Sequence, residues 1–183
     1  ITVDGDCSTN DMVLVLANGT QENEILNENH QEWDVFVKGL QYVTQELAKQ
    51  IARDGEGATK LVEVQVKGAV SDQSAGEIAK AVISSNLVKT AIYGSDPNWG
   101  RIICAVGYSE QPIDVNKISI SIGDIHVVEN GLPVEFSERA GKAYLEQDTV
   151  TIYVDLHNGN GEATAWGCDL TYDYVKINAS YRT

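Results

Sequence analysis

The sequence predicts an α+β fold, an α/β sandwich in which helices cover a sheet. Amphipathic helix patterns and two strand–turn–strand patterns occur along the same chain, and this mixture is typical of a sheet packed against helices. Hydrophobic residues make up 43% of the 183 residues and charged residues 22%, as in ordinary globular domains. The chain is therefore long enough and apolar enough to bury a substantial core.

The N-terminal part of the chain predicts a strand followed by a long helix. Residues 12–17 form an unbroken apolar run that ends at Asn18 and Gly19. This run predicts a strand buried on both faces, although a short helix would show the same pattern. Apolar residues then recur at spacings of three and four over 33–51, which predicts an amphipathic helix ending near Asp54.

The middle of the chain predicts a strand, a helix and a second strand. Valines alternate with polar residues over 62–66, the pattern of a half-buried strand. Ser71 suits the N-cap of the following helix. Residues 88–93 predict another strand, which leads into a loop over 94–100. The apolar run 102–106 fits either a strand or the start of a helix.

The last third of the chain is predicted to be rich in strands. Isoleucines alternate with serines over 118–122 and precede a tight turn into 125–128, which predicts a hairpin. An amphipathic segment over 137–145 precedes a strand at 150–156. A glycine-rich turn then leads into 162–168, which predicts a second hairpin. The tail over 172–183 is expected to be partly buried.

Charge and composition exclude several classes of function. The net charge is −14, and without a basic cluster the chain is expected to bind neither nucleic acid nor an anionic membrane. The three cysteines, Cys7, Cys104 and Cys168, lack paired spacing, so neither a disulfide framework nor a zinc site is predicted. No secretory or membrane-spanning pattern and no nucleotide motif is present. We therefore expect a cytoplasmic protein that uses no cofactor and no metal.

Two loops are candidates for a binding site, and each has a plainer interpretation. Glu56 lies between two glycines just after the long helix; it could receive a substrate ammonium or remain a solvated turn residue. Residues 94–101 combine Ser, Asp, Asn, Trp and Arg between glycines, which suits either a site or a proline-fixed turn. From these residues alone, both alternatives stay open.

Five segments stand out, in one order along the whole chain: Ile1–Asp11, Gly57–Leu61, Leu87–Ala91, Tyr93–Arg101 and Asp169–Val175. Together they resemble the ornithine acetyltransferase (glutamate N-acetyltransferase) family of arginine-biosynthesis enzymes. The nine-residue stretch over 93–101 is the most specific of them. A chance match to all five is implausible, so residues 1–183 are interpreted as the C-terminal, β-chain portion of such an enzyme.

The resemblance implies a self-cleaving precursor and a layered α-β-β-α fold shared between an α-chain and a β-chain. The threonine at the start of the β-chain would take an acetyl group from N-acetylornithine and pass it to glutamate. Its free α-amine would act as the base. Whether acetyl-CoA also serves as donor is left open. The expected assembly is α2β2 or larger.

The resemblance also implies which residues of this chain touch substrate. These are Glu56, Asn178 and Thr183, which suit the ammonium and carboxylate ends of acetylornithine. Asp96, Asn98 and Arg101 are interpreted as supporting residues. Ile1 stands first where the family would show the nucleophilic threonine and a further segment. No catalytic residue is therefore assigned in this chain, and the nucleophile is expected in a segment outside it.

Two alternative functions remain open from the sequence. A self-processing aminopeptidase of related fold would use a similar nucleophile but would need no acetyl acceptor. A non-catalytic member of the family would keep the fold without the nucleophile. The segment over 93–101 argues against the aminopeptidase, whereas only the position of Ile1 supports the non-catalytic alternative.

Overall fold

A computed structural model describes residues 1–180, over which the chain forms one sheet and six helices. The helices are α1 (Trp33–Arg53), α2 (Asp72–Ser84), α3 (Asn86–Tyr93), α4 (Trp99–Gly107), α5 (Glu138–Leu145) and α6 (Tyr172–Ser180). The strands are β1 (Leu61–Ala69), β2 (Ser119–Ile122), β3 (Ile125–Glu129), β4 (Leu132–Pro133), β5 (Thr149–Asp155) and β6 (Gly161–Cys168). The predicted mixed α+β class is confirmed.

The sheet has the strand order β4-β3-β2-β5-β1-β6. The pair β1–β5 is parallel, whereas β1–β6, β2–β5, β2–β3 and β3–β4 are antiparallel. The predicted hairpin of β2 and β3 is confirmed, since Ile122 pairs with Ile125. Strand β1 lies between β5 and β6, so it is covered along both edges.

The core lies on one face of this sheet. Val62, Val64 and Val66 are buried there because alternate residues of a strand point to the same face. Helix α2 packs against β1 and β6 on this face. Its buried side chains recur at helical spacing, as predicted from Ser71 onward; they are Ala75, Ile78, Ala79, Val82 and Ile83. The hydroxyl of Ser71 accepts a hydrogen bond from Ser74 N, which confirms the predicted cap.

The strand predicted over 88–93 is wrong, because these residues form helix α3. The hydroxyl of Ser85 accepts a hydrogen bond from Val88 N and so caps this helix. Val88, Ala91 and Ile92 are buried at spacings of three and one, which places them on one helical face. A run of eight residues shows too little periodicity to distinguish this face from a buried strand.

The predicted hairpin over 150–168 is also wrong. Both strands exist, as β5 and β6, but each pairs with β1 and not with the other. The connection crosses the end of β1, where Leu156 N donates to Lys67 O and Asn158 N donates to Gly68 O. Gly68 adopts φ +71° at this point. Strand order in a sheet is a long-range property, and the turn residues could not show that a third strand lies between.

The strand predicted over 12–17 is absent from the described chain, where these residues belong to neither a helix nor a strand. The apolar side chains from Met12 to Leu16 are 72–91% exposed. The predicted helix α1 is confirmed, yet its apolar stripe is also largely exposed, at 42% for Leu40 and 52% for Leu47. Exposed apolar segments of this kind are typical of interaction sites.

A buried carboxylate joins the end of β6 to the segment before β1. Asp169 is 3% exposed. Its Oδ1 accepts hydrogen bonds from Thr59 N at 2.8 Å and Lys60 N at 3.0 Å, and its Oδ2 accepts one from Thr59 Oγ1 at 2.5 Å. Hydrogen bonds to a charged acceptor are among the stronger ones in proteins. Asp169 thereby fixes the chain that leads out of the Glu56 loop.

Two buried lysines extend this connection to other segments. Lys60 Nζ donates to Ile92 O at 2.6 Å and to Ser95 Oγ at 3.1 Å. Lys89 Nζ donates to Val3 O at 2.6 Å and to Cys168 O at 2.5 Å. Burial lowers the pKa of both lysines. Each ammonium group therefore depends on these oxygen acceptors to replace lost water.

We expect Asp169→Asn to destabilise the protein by about 1–3 kcal/mol, because a buried charged acceptor of three hydrogen bonds is replaced by a neutral amide. Urea unfolding of the complete protein, followed by circular dichroism, measures this free energy. Asp72→Asn is the matched control, since Asp72 is exposed and accepts one bond, from Glu162 N. A loss no larger than that of the control would contradict the anchoring role of Asp169.

Candidate functional site

The Glu56 loop follows α1 and is closely packed although the Glu56 side chain is exposed. A Cβ atom at Gly55 would come within 2.9 Å of Cys168 Sγ and of Val3 Cγ1. A Cβ atom at Gly57, where φ is +67°, would lie 2.7 Å from Tyr174 N. Both flanking positions therefore require glycine, and the loop backbone is held against neighbouring segments.

Helix α6 begins directly beside this loop. Gly57 O accepts a hydrogen bond from Thr171 Oγ1 at 2.7 Å, and the backbone of Gly57 lies against Asp173 and Tyr174 in the first helical turn. The predicted partial burial of the tail holds for Tyr174 alone within α6, whose other side chains are exposed. The tail is thus anchored at its start and projects away from the core.

The N-terminal segment runs along the same loop. Thr2 N donates to Trp166 O at 3.0 Å, and Val3 O accepts from the buried Lys89. The Tyr174 hydroxyl donates to Asp4 Oδ2 at 2.9 Å. This hydrogen bond, together with partial burial and the negative charges of Asp4 and Glu56, raises the pKa of Tyr174 to about 12. The phenol therefore remains a protonated donor at neutral pH.

Asn178 lies on the exposed side of α6, and its side-chain amide donates to Tyr174 O at 3.0 Å. It stands four residues beyond Tyr174, about 6 Å along the helix axis. The structure therefore brings the Glu56 loop into contact with the helix that carries Asn178. The third predicted contact, Thr183, lies outside the described residues, so its position stays a prediction.

Glu56 and Asn178 combine a charged hydrogen-bond acceptor with a neutral donor. The carboxylate of Glu56 can accept hydrogen bonds from a substrate ammonium group, and the amide of Asn178 can donate to a carboxylate. Glu56 forms no ion pair among the described residues. Tyr174 of the same helix is hydrogen-bonded to the carboxylate of Asp4. The negative charge of Asp4 would favour the cationic end of a ligand bound nearby.

The segment over 93–101 forms hydrogen bonds within and around the start of α4. Asn98 caps α4, because its Oδ1 accepts from Arg101 N, and its amide donates to Asp96 Oδ2 at 2.9 Å. The Arg101 guanidinium donates to Leu87 O at 2.8 Å. The bond from Arg101 connects α4 to α3. Residues 102–106, which the sequence assigned to either a strand or a helix, lie in helix α4.

Sequence reasoning missed Thr171 and the Tyr174–Asp4 pair. Both lie in segments that carry the family resemblance, but the residues themselves gave no reason to join positions 4 and 174. Thr171 did carry a signal, since a threonine followed by a helix with an acidic residue in its first turn, here Asp173, is a typical N-cap pattern.

An open cleft of about 720 Å³ lies elsewhere, between α1 and the exposed face of the sheet. Several of its polar side chains contact one another. Trp166 Nε1 donates to Glu63 Oε2 at 2.6 Å, and Lys49 lies 5.5 Å from the centroid of the Trp166 ring. We therefore interpret these contacts as the packing of α1 on the sheet.

Residues 1–180 contain no group of His, Cys, Asp and Glu side chains arranged to hold a metal ion. Over the same part of the chain, none of the helices combines the length and the apolar character needed to span a bilayer. Cys168 is buried beside Lys89, and burial raises the pKa of its thiol. The thiol is accordingly a neutral packing group.

Comparisons with known proteins cover the whole chain. The model of the ArgJ family matches residues 1–183. The chain is 67% identical over 183 residues to a protein of Oceanobacillus iheyensis, and 56% identical over 183 residues to one of Bacillus subtilis; both are named arginine biosynthesis bifunctional protein ArgJ. Each match covers all of this chain but 45% of the relative. The chain therefore spans about half the length of these two proteins.

A solved structure agrees with the fold described above. The crystal structure of the arginine biosynthesis bifunctional protein ArgJ from Bacillus halodurans matches with a TM-score of 0.95 at 60% sequence identity. The match covers 98% of this chain and 85% of that chain. On the family match over its entire length and on this structural agreement, the chain belongs to the ArgJ family.

Proposed function

We propose that the complete protein containing this chain is a glutamate N-acetyltransferase, which moves an acetyl group from N2-acetylornithine to glutamate in arginine biosynthesis. The observation that carries this proposal is the family match over residues 1–183, with relatives named as arginine biosynthesis proteins. The Glu56 loop supports it, because it places an exposed carboxylate beside the helix of Asn178.

The proposed reaction has two half-reactions through one covalent intermediate. A threonine hydroxyl, in a segment outside this chain, attacks the acetyl carbonyl carbon, and its own α-amine takes the hydroxyl proton. The tetrahedral intermediate collapses as the C–N bond breaks, and the departing ornithine amine receives that proton. The amine of glutamate then attacks the acetyl-threonine ester, which releases N-acetylglutamate and restores the hydroxyl.

In this mechanism the chain's own residues bind and orient the substrates. N-acetylornithine carries one cation, its side-chain ammonium, because its α-amine is acetylated. Glu56, Asn178 and Thr183 are proposed as the groups of this chain that contact the substrate ends. The oxyanion of the tetrahedral intermediate would be stabilised by donors outside this chain.

We further propose that an α-chain and an upstream segment complete the protein. The exposed apolar run from Met12 to Leu16 and the apolar stripe of α1 are the surfaces they would cover. Strand pairing to the run would supply a second sheet and so the layered α-β-β-α sandwich. An α2β2 or larger assembly in the cytoplasm is the expected state of the mature enzyme.

Acetyl-CoA is the proposed second donor. The relatives' shared name describes a bifunctional protein, and a second acetyl source for the same nucleophile would give a second activity without another site. No cofactor is then required, because acetyl-CoA is consumed as a substrate.

The decisive experiment is intact mass spectrometry of the complete protein, incubated with N-acetylornithine while glutamate is withheld. One polypeptide should gain a single acetyl group and lose it when glutamate is added, because a ping-pong enzyme stores the group between half-reactions. A parallel incubation with acetyl-CoA tests the second donor. If no polypeptide is acetylated by either compound, the transferase proposal is wrong.

Glu56→Gln should raise KM for N-acetylornithine about tenfold or more, because an exposed carboxylate that pairs with the substrate ammonium becomes neutral. Steady-state kinetics of the complete enzyme measure this change. Glu77→Gln is the matched control, since Glu77 is an exposed carboxylate on α2. An unchanged KM in Glu56→Gln would remove Glu56 from the site.

Removal of residues 178–183 should abolish turnover, since it deletes Asn178 and Thr183 together. The melting temperature should change little, because residues 178–180 are exposed and lie beyond the anchored first turn of α6. Initial rates and thermal unfolding of the truncated enzyme separate these two effects. Full activity after truncation would contradict the assignment of both residues.

A further inference from the structure

The Thr171 hydroxyl connects the two proposed substrate-binding elements. Its Oγ1 donates to Gly57 O at 2.7 Å and accepts from Tyr174 N at 3.2 Å. The first bond holds the loop that carries Glu56, and the second caps the helix that carries Asn178. Thr171 is 6% exposed, so both bonds are shielded from competing water.

The position of Glu56 depends on such backbone anchors. Its own side chain is exposed, and glycine occupies both neighbouring positions. The preceding side is held by the end of α1, where Asp54 N donates to Gln50 O. On the following side, Thr171 is hydrogen-bonded to the backbone of Gly57, one residue after Glu56. The nearest bond to Asp169 comes from Thr59 N, three residues after Glu56.

The same hydroxyl sets the direction of α6. Of the donors at the start of this helix, Tyr174 N is the one that Thr171 satisfies. The close approach of Gly57 to Asp173 and Tyr174 leaves no room for even a methyl group. Any shift of the helix start therefore displaces the Glu56 loop, and Asn178 follows one turn later on the same rigid element.

We propose that Thr171 is a positioning residue for the acetyl-transfer site, whose hydroxyl fixes the Glu56 loop and the Asn178 helix at one spacing for the substrate. The inference rests on the proposed function, because it assigns both elements to one ligand. Thr171 itself touches no substrate; it acts through Gly57 and Tyr174. A purely structural role would instead lower stability without changing substrate affinity.

The test compares Thr171→Val with Thr171→Ser in the complete enzyme. Valine keeps the shape and removes the hydroxyl, so KM for N-acetylornithine should rise about 10- to 100-fold, because misplaced binding groups lose contact with the substrate. The amount of acetyl-enzyme formed at saturating substrate should fall much less. Serine keeps the hydroxyl and should restore KM to within about threefold of the wild-type value.

Ser109→Ala is the matched control, because the Ser109 hydroxyl also donates to a backbone carbonyl, Val106 O at 2.7 Å, but at the end of α4. This variant should lose stability without a change in KM. Gly57→Ala disturbs the same contact from the opposite side, since its Cβ would meet Tyr174 N. It should raise KM as Thr171→Val does. Thr171→Ala removes the same hydroxyl in a smaller side chain, and it decides the outcome if Thr171→Val does not fold.

The outcomes separate this inference from the proposed function. If wild-type enzyme transfers acetyl groups and Thr171→Val, or Thr171→Ala in its place, keeps the wild-type KM, the positioning role is overturned and the function stands. If KM rises equally in Ser109→Ala, the effect is a general loss of stability and the inference fails. If the wild-type protein accepts no acetyl group, the proposed function fails first.

Discussion

The organisation of this chain depends on three buried charged side chains whose hydrogen-bond partners are mainly backbone groups. Asp169 accepts hydrogen bonds from the segment before β1, and Lys60 and Lys89 donate to carbonyl oxygens of α3, of β6 and of the N-terminal segment. A buried charge without partners is costly. These hydrogen bonds therefore hold together segments that are far apart in sequence, by 110 positions for Asp169 and Thr59.

This requirement also explains where the candidate site lies. The anchored segments end at one place, where the Glu56 loop, the Asp4 turn and the first turn of α6 meet. Functional side chains on a loop gain precision when packed elements fix the backbone on both sides. Here the backbone beside the exposed Glu56 is held by Thr171 at Gly57 and by Asp169 at Thr59.

The apolar surface of the N-terminal third shows the opposite condition. Residues 12–16 and the stripe of α1 are apolar enough for a core, yet they remain exposed, whereas the sheet and helices α2 to α4 bury theirs. The chain is about half as long as its relatives, which fits a surface that further chain would cover. The residues of the sheet core are buried, whereas those of the proposed interface are exposed.

The sequence by itself determined the features that arise from local periodicity: α1, α2, β1 and the β2–β3 hairpin, together with the family that five segments resemble. Tertiary structure decided the rest. Residues 88–93 form a helix whose buried face packs against α2 and α4. Strand β1 lies between β5 and β6. The contact of Thr171 with Gly57 spans 114 positions. Such contacts depend on which segments share one buried volume, and no local pattern encodes that choice.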